Sequence, residues 1–306
     1  MKDLRGIIPI IQTPFTDNGA VDYEDVGRVV EQVANDGGGG VALFGIASEF
    51  YKLSDGEKLQ MAASAVEAGR GKIPVIVSIT RNSTELALED AKAFQKLGAD
   101  ALMIYSPHFV TPSTDALSRH ILAVTKSIDI PLVIQYTPSM NGGLLTAETI
   151  EGICTKTKTQ LYIKAEPIPA APFIESLNKR AAGRIGLFTG NMGMHMLDLM
   201  ERGVTGIMPA CSMVRAYANI FNAQMSGDKE KAKRYYEAML PFIVIINQEI
   251  EMLVRFEKKL LKLRGIIKSD YCRQPTAWTA DEKMWRQLLK QREEISKIMD
   301  IGEDYA

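Results

Sequence analysis

Cysteine, histidine and tryptophan are scarce in this 306-residue chain, which has three, three and two of them. Cys154, Cys211 and Cys272 lie far apart, with neither metal-ligand spacing nor a redox pair among them. His108, His120 and His195 are scattered, and no two share the helical spacing of a zinc protease. No metal and no cofactor is therefore expected. Excess charge is also missing. A net charge of -1 leaves no basic surplus for a nucleic acid or another polyanion. No apolar run reaches membrane-spanning length. The opening stretch, Met1-Lys2-Asp3-Leu4-Arg5-Gly6, has no signal-peptide apolar core, so a cytoplasmic protein is expected. The one glycine cluster, Gly37–Gly40, precedes a strand-like run. A dinucleotide fingerprint needs its glycines after a strand, which argues against a doubly wound nucleotide-binding fold.

What the chain does contain is alternation. Apolar residues make up 46% and charged residues 24%, the ordinary balance of a globular enzyme. Short β-branched runs read as strands at Ile7–Gln12, Val41–Phe44, Pro74–Ile79, Ala101–Tyr105, Pro131–Gln135, Leu161–Lys164, Ile185–Thr189 and Val204–Met208. Helical patterns separate them: Val21–Asp36, Glu57–Ala68, Thr84–Leu97, Ser118–Ser127, Ala147–Lys156, Ala171–Ala181 and His195–Glu201. Several strands carry little internal polarity, as strands of a parallel sheet covered on both faces do. Eight such units predict a (β/α)8 TIM barrel over residues 1–217. Past Tyr217 strand patterns stop. Helices expected at Lys229–Met239, Pro241–Lys262 and Ala280–Asp300 would form a C-terminal helical extension, residues 218–306, packed on the barrel.

In such a barrel, chemistry sits at the C-terminal ends of the strands. Lys164 stands out there, directly after Leu161, Tyr162 and Ile163. Strand side chains alternate faces, so Tyr162, Lys164 and Glu166 share one face and Ile163 and Ala165 the other. The apolar pair suits the outer, helix-covered face, which sends Lys164 and Glu166 inward. A lysine losing solvation there holds its proton less tightly, and a neutral amine can attack a ketone to give an imine. Spacing alone slightly favours a structural Lys164–Glu166 ion pair at the strand end. Thr189, Asn191 and His108 are further candidates for lining the pocket and touching substrate hydroxyls. Tyr105 reads better as packing than as chemistry.

Several stretches together carry a family resemblance. They are Gly6–Pro14 with Phe15 and Gly19, Gly45–Glu49 with Leu53-Ser54, Pro74-Val75-Ile76-Val77, Gly98-Ala99-Asp100-Ala101, Ser106-Pro107, Pro131–Pro138 and Ile163-Lys164. In order and spacing the chain resembles the dihydrodipicolinate synthase/N-acetylneuraminate lyase family of Schiff-base enzymes. The resemblance implies a homotetramer, a 2-keto acid substrate and Lys164 as the imine-forming lysine. It also implies a substrate carboxylate held at the loop after the second strand. That loop is Gly-Thr-Thr-Gly-Glu in the family and Gly45-Ile46-Ala47-Ser48-Glu49 here. Ile46 and Ala47 would serve through backbone N–H groups, and Ser48 through a shifted hydroxyl.

The departures are as informative. The family's Tyr-Asn-Val-Pro reads Gln135-Tyr136-Thr137-Pro138, so Gln135 holds the relay tyrosine's place and Tyr136 sits one residue late. The second relay tyrosine falls at His108 or Phe109, and the arginine for the second substrate of dihydrodipicolinate synthase at Met140. That site would need a cation for a dicarboxylate-like partner, so the synthase itself is not expected. Gln135 with Lys164 and Glu166 resembles a smaller branch, the 2-keto-3-deoxy-pentonate (L-arabinonate type) dehydratases. There the glutamate two after the lysine acts as acid/base. A second carboxylate used by those enzymes falls near Met192. The expectation is therefore dehydration of a 2-keto-3-deoxy sugar acid, with a pyruvate-dependent aldolase as the alternative and a non-catalytic keto-acid-binding homologue behind both.

Overall fold

Strand-forming runs that lack polar residues can be buried on both faces only by pairing side by side in parallel and being covered by helices. The computed structural model follows this arrangement and describes residues 4–140, 144–181, 183–276 and 281–302. The opening Met1-Lys2-Asp3 and the expected helix start at Ala280 lie outside the described residues. Eight parallel strands form one sheet in the order β1-β8-β7-β6-β5-β4-β3-β2. They are β1 (Gly6–Ile7), β2 (Val41–Leu43), β3 (Val75–Ser78), β4 (Ala101–Tyr105), β5 (Leu132–Tyr136), β6 (Leu161–Ala165), β7 (Ile185–Thr189) and β8 (Gly206–Ile207). The first strand is shorter than expected because Pro9 has no N–H to give to a ladder. Closure continues past it: the Ala42 N–H donates to the Pro9 carbonyl at 2.8 Å and the Ile11 N–H to the Ala42 carbonyl at 3.1 Å. The sheet is thus a (β/α)8 barrel.

Helices α1 (Tyr23–Asn35), α2 (Asp55–Gly69), α3 (Thr84–Leu97), α4 (Thr114–Thr125), α5 (Ala147–Cys154), α6 (Ala171–Ala181), α7 (Met196–Glu201) and α8 (Val214–Met225) alternate with the strands. Their starts follow capping chemistry. Ser54 and Glu57 form a reciprocal capping box on α2, and the Ser113 hydroxyl accepts from the Ala116 N–H to start α4, earlier than periodicity alone suggests. No helix was expected where α8 lies. Val214, Ala216, Tyr217, Ala218, Ile220, Phe221 and Ala223 are all buried, and the polar side is only the narrow stripe of Arg215, Asn219 and Asn222.

The extension consists of α9 (Lys229–Ile246), α10 (Ile250–Leu263) and α11 (Glu282–Met299). Here the sequence reading needs correction. Pro241 was expected to divide two helices, but α9 runs through it, and the break falls at Asn247–Glu249. A proline deletes one helical hydrogen bond. The buried face of Met239, Phe242, Ile243 and Ile246 on both sides of it holds the helix together. Glu249 then starts a new helix, its carboxylate accepting from the Met252 N–H at 2.9 Å.

Two apolar layers follow from strand alternation. One lies between strands and helices. The other fills the barrel with Ile8, Ile10, Ala42, Ile76, Met103, Val133, Tyr162, Phe188 and Met208. Tyr162 and Phe188 stack at 5.0 Å inside it. Their bulk requires neighbours without side chains: a Cβ on Gly186 would stand 2.1 Å from the Tyr162 ring, and one on Gly206 2.1 Å from Phe188. This packed floor closes the barrel below the ends of β5, β6 and β7. No helix among the described residues is long and apolar enough to cross a membrane.

Candidate active site

Above the floor, a cavity of about 370 Å³ opens at the C-terminal ends of the strands. Register decides which side chains reach it. Lys164 pairs with Gln135 on β5 and with Phe188 on β7, so all three point inward. Tyr162 fills the barrel one step below, and Glu166 follows one step above. Lys164 and Glu166 are both buried, with Nζ 3.4 Å from Oε2.

The Glu166 carboxylate is held at several points. Its Oε2 accepts from Thr137 Oγ1 at 2.6 Å and from Gln135 Nε2 at 3.0 Å, and its Oε1 accepts from the Asn191 N–H at 3.1 Å. The carboxylate thus stands directly beside the lysine nitrogen, within reach of its proton. Room for this corner comes from Gly190. A Cβ there would lie 1.9 Å from Glu166 Oε1 and 2.6 Å from Lys164 Cε. Asn191 and Met192 follow in the left-handed region at φ 48° and 52°, a conformation non-glycine residues rarely adopt. The turn is secured by Tyr217, whose hydroxyl donates to the Met192 carbonyl at 2.7 Å.

Opposite this corner, Ile46–Ser48 forms a single 3-10 turn after β2. Ile46 and Ala47 line the cavity with its opening end, where backbone N–H groups of a helical turn have no intrahelical acceptor. Two side-chain contacts pin the turn. Thr13 Oγ1 donates to the Ser48 carbonyl at 2.6 Å, and Gln12 Nε2 reaches the Ala47 carbonyl at 3.4 Å. Gln12 is itself oriented by Cys211, whose thiol donates to its Oε1 at 2.9 Å. At the end of the turn Glu49 takes φ 56°, and its buried carboxylate pairs with Lys258 of α10 and, at 3.3 Å, with Lys52. Lys258 is fully buried, 4.3 Å above the Phe15 ring, and desolvation holds its pKa below the usual lysine value.

Among the residues singled out from sequence, Lys164, Glu166, Ile46, Ala47, Gln135 and Asn191 line this one cavity. Four others do not. Ser48 is buried and spends its hydroxyl on the Gly45 carbonyl at 2.7 Å, so it is not aimed at a ligand. Tyr136 faces outward, as strand alternation after Gln135 requires, and packs on Phe173 of α6 at 5.0 Å. Thr189 is outward for the same reason after Phe188, and donates to the Ala165 carbonyl. His108 is exposed on the loop after β4, beside the rings of Tyr105 and Phe50. Tyr105 lies under that loop and donates to the Met140 carbonyl at 2.5 Å. Burial first, then the Glu166 charge, pushes its hydroxyl pKa up to about 12.

Other lining residues were missed. Thr137 shares the Gln135 face at a spacing of two, a signal the sequence did contain. Asn247, Gln248 and Glu249 reach the cavity from the break between α9 and α10. Their polarity between two apolar helices was legible as a break, but Pro241 drew the boundary elsewhere. Among the described residues, no three His, Cys, Asp or Glu side chains stand together as metal ligands.

Comparison with known proteins agrees with this architecture. A sequence model of the dihydrodipicolinate synthetase family matches residues 3–292. The 4-hydroxy-tetrahydrodipicolinate synthase of Sorangium cellulosum is 30% identical over 240 residues, 78% of this chain and 79% of that protein. The L-2-keto-3-deoxyarabonate dehydratase of Azospirillum brasilense is 27% identical over 276 residues, 89% of this chain and 88% of that one. Among solved structures, a dihydrodipicolinate synthase from Rhodopseudomonas palustris superposes with a TM-score of 0.83 at 25% identity, covering 97% of both chains.

Proposed function

Because the chain belongs to the dihydrodipicolinate synthetase family, we propose that it is a Schiff-base-forming lyase of 2-keto acids with Lys164 as its amine. The observation that carries this reading is the buried Lys164–Glu166 pair, 3.4 Å apart, in a cavity that faces the Ile46–Ala47 turn. Glu166 accepts the lysine proton, and the neutral amine adds to the C2 ketone. Loss of water gives an iminium ion. Ile46 and Ala47 hold the C1 carboxylate through their N–H groups. Removal of a C3 proton then gives an enamine, with the iminium as electron sink. Glu166 lies within reach of that proton traffic, and Gln135 and Thr137 keep it in place.

The enamine can add to an aldehyde to form a carbon–carbon bond, the reverse being C3–C4 cleavage of the iminium as its C4 hydroxyl loses a proton, or it can expel the C4 hydroxyl, which leaves as water with the proton taken from C3. The synthase relatives support the first outcome, so pyruvate-dependent aldol chemistry takes precedence over the dehydration favoured by the sequence reading. Dehydration remains the second reading, supported by Glu166 standing where a tyrosine relay is absent and by the likeness to the Azospirillum dehydratase. The second substrate of the synthases is a different matter. Of the described cavity-lining residues, Lys164 is the one cation, and Met140 offers no grip for a second carboxylate.

Incubation with pyruvate and borohydride, followed by peptide mass spectrometry, tests the imine. A reduced pyruvate adduct is expected on Lys164. An unmodified Lys164, or an adduct on another lysine, would remove the reading. With Lys164 labelled, Glu166→Gln is expected to slow release or exchange of the C3 proton by about 10²-fold or more.

A further inference from the structure

The cavity has two ends of different electrical character. The inner end holds Lys164 and Glu166, which compensate each other. The outer end is bordered by Asn247, Gln248 and Glu249 from the break between α9 and α10. Glu249 is the only charged lining residue besides the inner pair, among those described. The nearby ammonium of Lys52 is committed to Glu49 at 3.3 Å, Glu251 at 3.2 Å and the Arg273 carbonyl at 2.9 Å. The start of α10, which could otherwise attract a ligand anion, is already occupied by the Glu249 carboxylate bonded to the Met252 N–H. The acidity of this rim registers on Tyr51. Its hydroxyl pKa is raised by burial first, and then by Glu251, Glu49 and Glu249.

We propose that Glu249 makes the cavity selective for 2-keto acids whose far end is uncharged and hydroxylated, and rejects those ending in a second carboxylate or a phosphate. Asn247 and Gln248 supply donors and acceptors for hydroxyl groups, and Glu249 accepts hydrogen bonds from them. An anionic tail meets a carboxylate there instead, with no second cation among the described lining residues to offset it. Charge is sorted by the extension, while the reaction is run by the barrel. This inference rests on the imine reading of Lys164, which supplies the anchored end of the substrate.

The test uses competition, so that the physiological substrate need not be known. Pyruvate is trapped on Lys164 with borohydride in the presence of 2-keto-3-deoxy acids supplied as stereochemically matched pairs. One member ends in a hydroxymethyl group and the other in a carboxylate. In the unaltered protein the neutral member is expected to halve trapping at a concentration at least about tenfold lower, a difference of about 1.4 kcal/mol. Glu249→Gln, which keeps an acceptor for the Met252 N–H, is expected to reduce that ratio to about twofold or less. Glu249→Asp, which keeps the charge, is expected to retain most of it. Equal competition in the unaltered protein, or an unchanged ratio in Glu249→Gln, overturns the proposal while leaving the imine intact. If pyruvate gives no adduct at all, the imine reading falls first and this one falls with it.

Discussion

Two corners of the cavity are built in opposite ways. The corner proposed to react, formed by Lys164, Glu166, Gln135, Thr137 and Gly190, comes from the ends of three adjacent strands. Its geometry follows from register and from one missing Cβ. The corner proposed to bind the substrate carboxylate, Gly45–Glu49, is a short turn with little of its own to hold it. It is tied from a distance, by Thr13 and Gln12 beneath it and by Lys258 of the extension, 209 positions along the chain. The first corner is rigid because a sheet is rigid. The second is only as well placed as the helices that grip it. Damage to the first should therefore appear as lost chemistry, and damage to the second as weakened folding and weakened substrate binding.

The sharpest way to break this contrast is Gly190→Ala. The added methyl would overlap Glu166 and press on Lys164 Cε, and both groups are confined by packed strands. Turnover is expected to fall by about 10²-fold or more, since displacements near 1 Å at a reacting centre cost that much. Gly56→Ala is the control. It lies in α2 with nothing within 4 Å of the new Cβ, and is expected to keep full activity with equal or slightly greater stability. Steady-state kinetics and thermal melts on the pair decide the matter. Normal turnover in Gly190→Ala would show that the corner yields more than a parallel sheet should.

Lys258→Met probes the other corner. It leaves Glu49 buried with Lys52 as its remaining cation. Removing one member of a buried pair costs about 3–5 kcal/mol, and that loss is expected in denaturant unfolding. In the folded fraction, KM for the keto acid is expected to rise several-fold while kcat changes little, because Lys164 and Glu166 are untouched. A fall in kcat without a change in KM would contradict the division of labour between the corners.

Legibility in the sequence divides along the same line. Alternation within β5 and β6 was enough to send Gln135, Lys164 and Glu166 inward, and it warned that Tyr136 would turn away. The eight-stranded barrel was readable for a similar reason, since each strand carries its own apolar run. Ser48 was misjudged because a buried hydroxyl in a 3-10 turn finds a carbonyl three residues back, which spacing does not reveal. Asn247–Glu249 was missed because a proline is a strong local signal, whereas the packing that carried α9 through Pro241 is tertiary. The Glu49–Lys258 pair had no sequence signal at all, as neither residue is unusual in its own segment.

The smallest expected effect lies beneath the binding corner. Glu257 of α10 is fully buried and accepts from the Ser212 N–H and hydroxyl, both at 2.8 Å. Desolvation pushes its pKa up to about 7 from an ordinary 4.5, although the Ser212 hydrogen bonds oppose the rise. A carboxyl whose folded pKa is raised contributes stability that is complete below its unfolded pKa and is lost as pH rises through the folded one. Folding should therefore weaken between about pH 4.5 and 7. Two to three pH units at about 1.4 kcal/mol each give a loss on the order of 3 kcal/mol. Glu257→Gln cannot ionise, so its denaturant midpoint is expected to lose that part of the pH dependence. Neighbouring Cys211 orients Gln12 and hence the Ala47 carbonyl, so a loosened α10 would reach the carboxylate turn before it reached Lys164. Substrate affinity in the unaltered enzyme should accordingly weaken over the same pH range by more than it does in Glu257→Gln. An identical pH profile in the two proteins would mean that the extension supports the turn only through the Glu49–Lys258 pair.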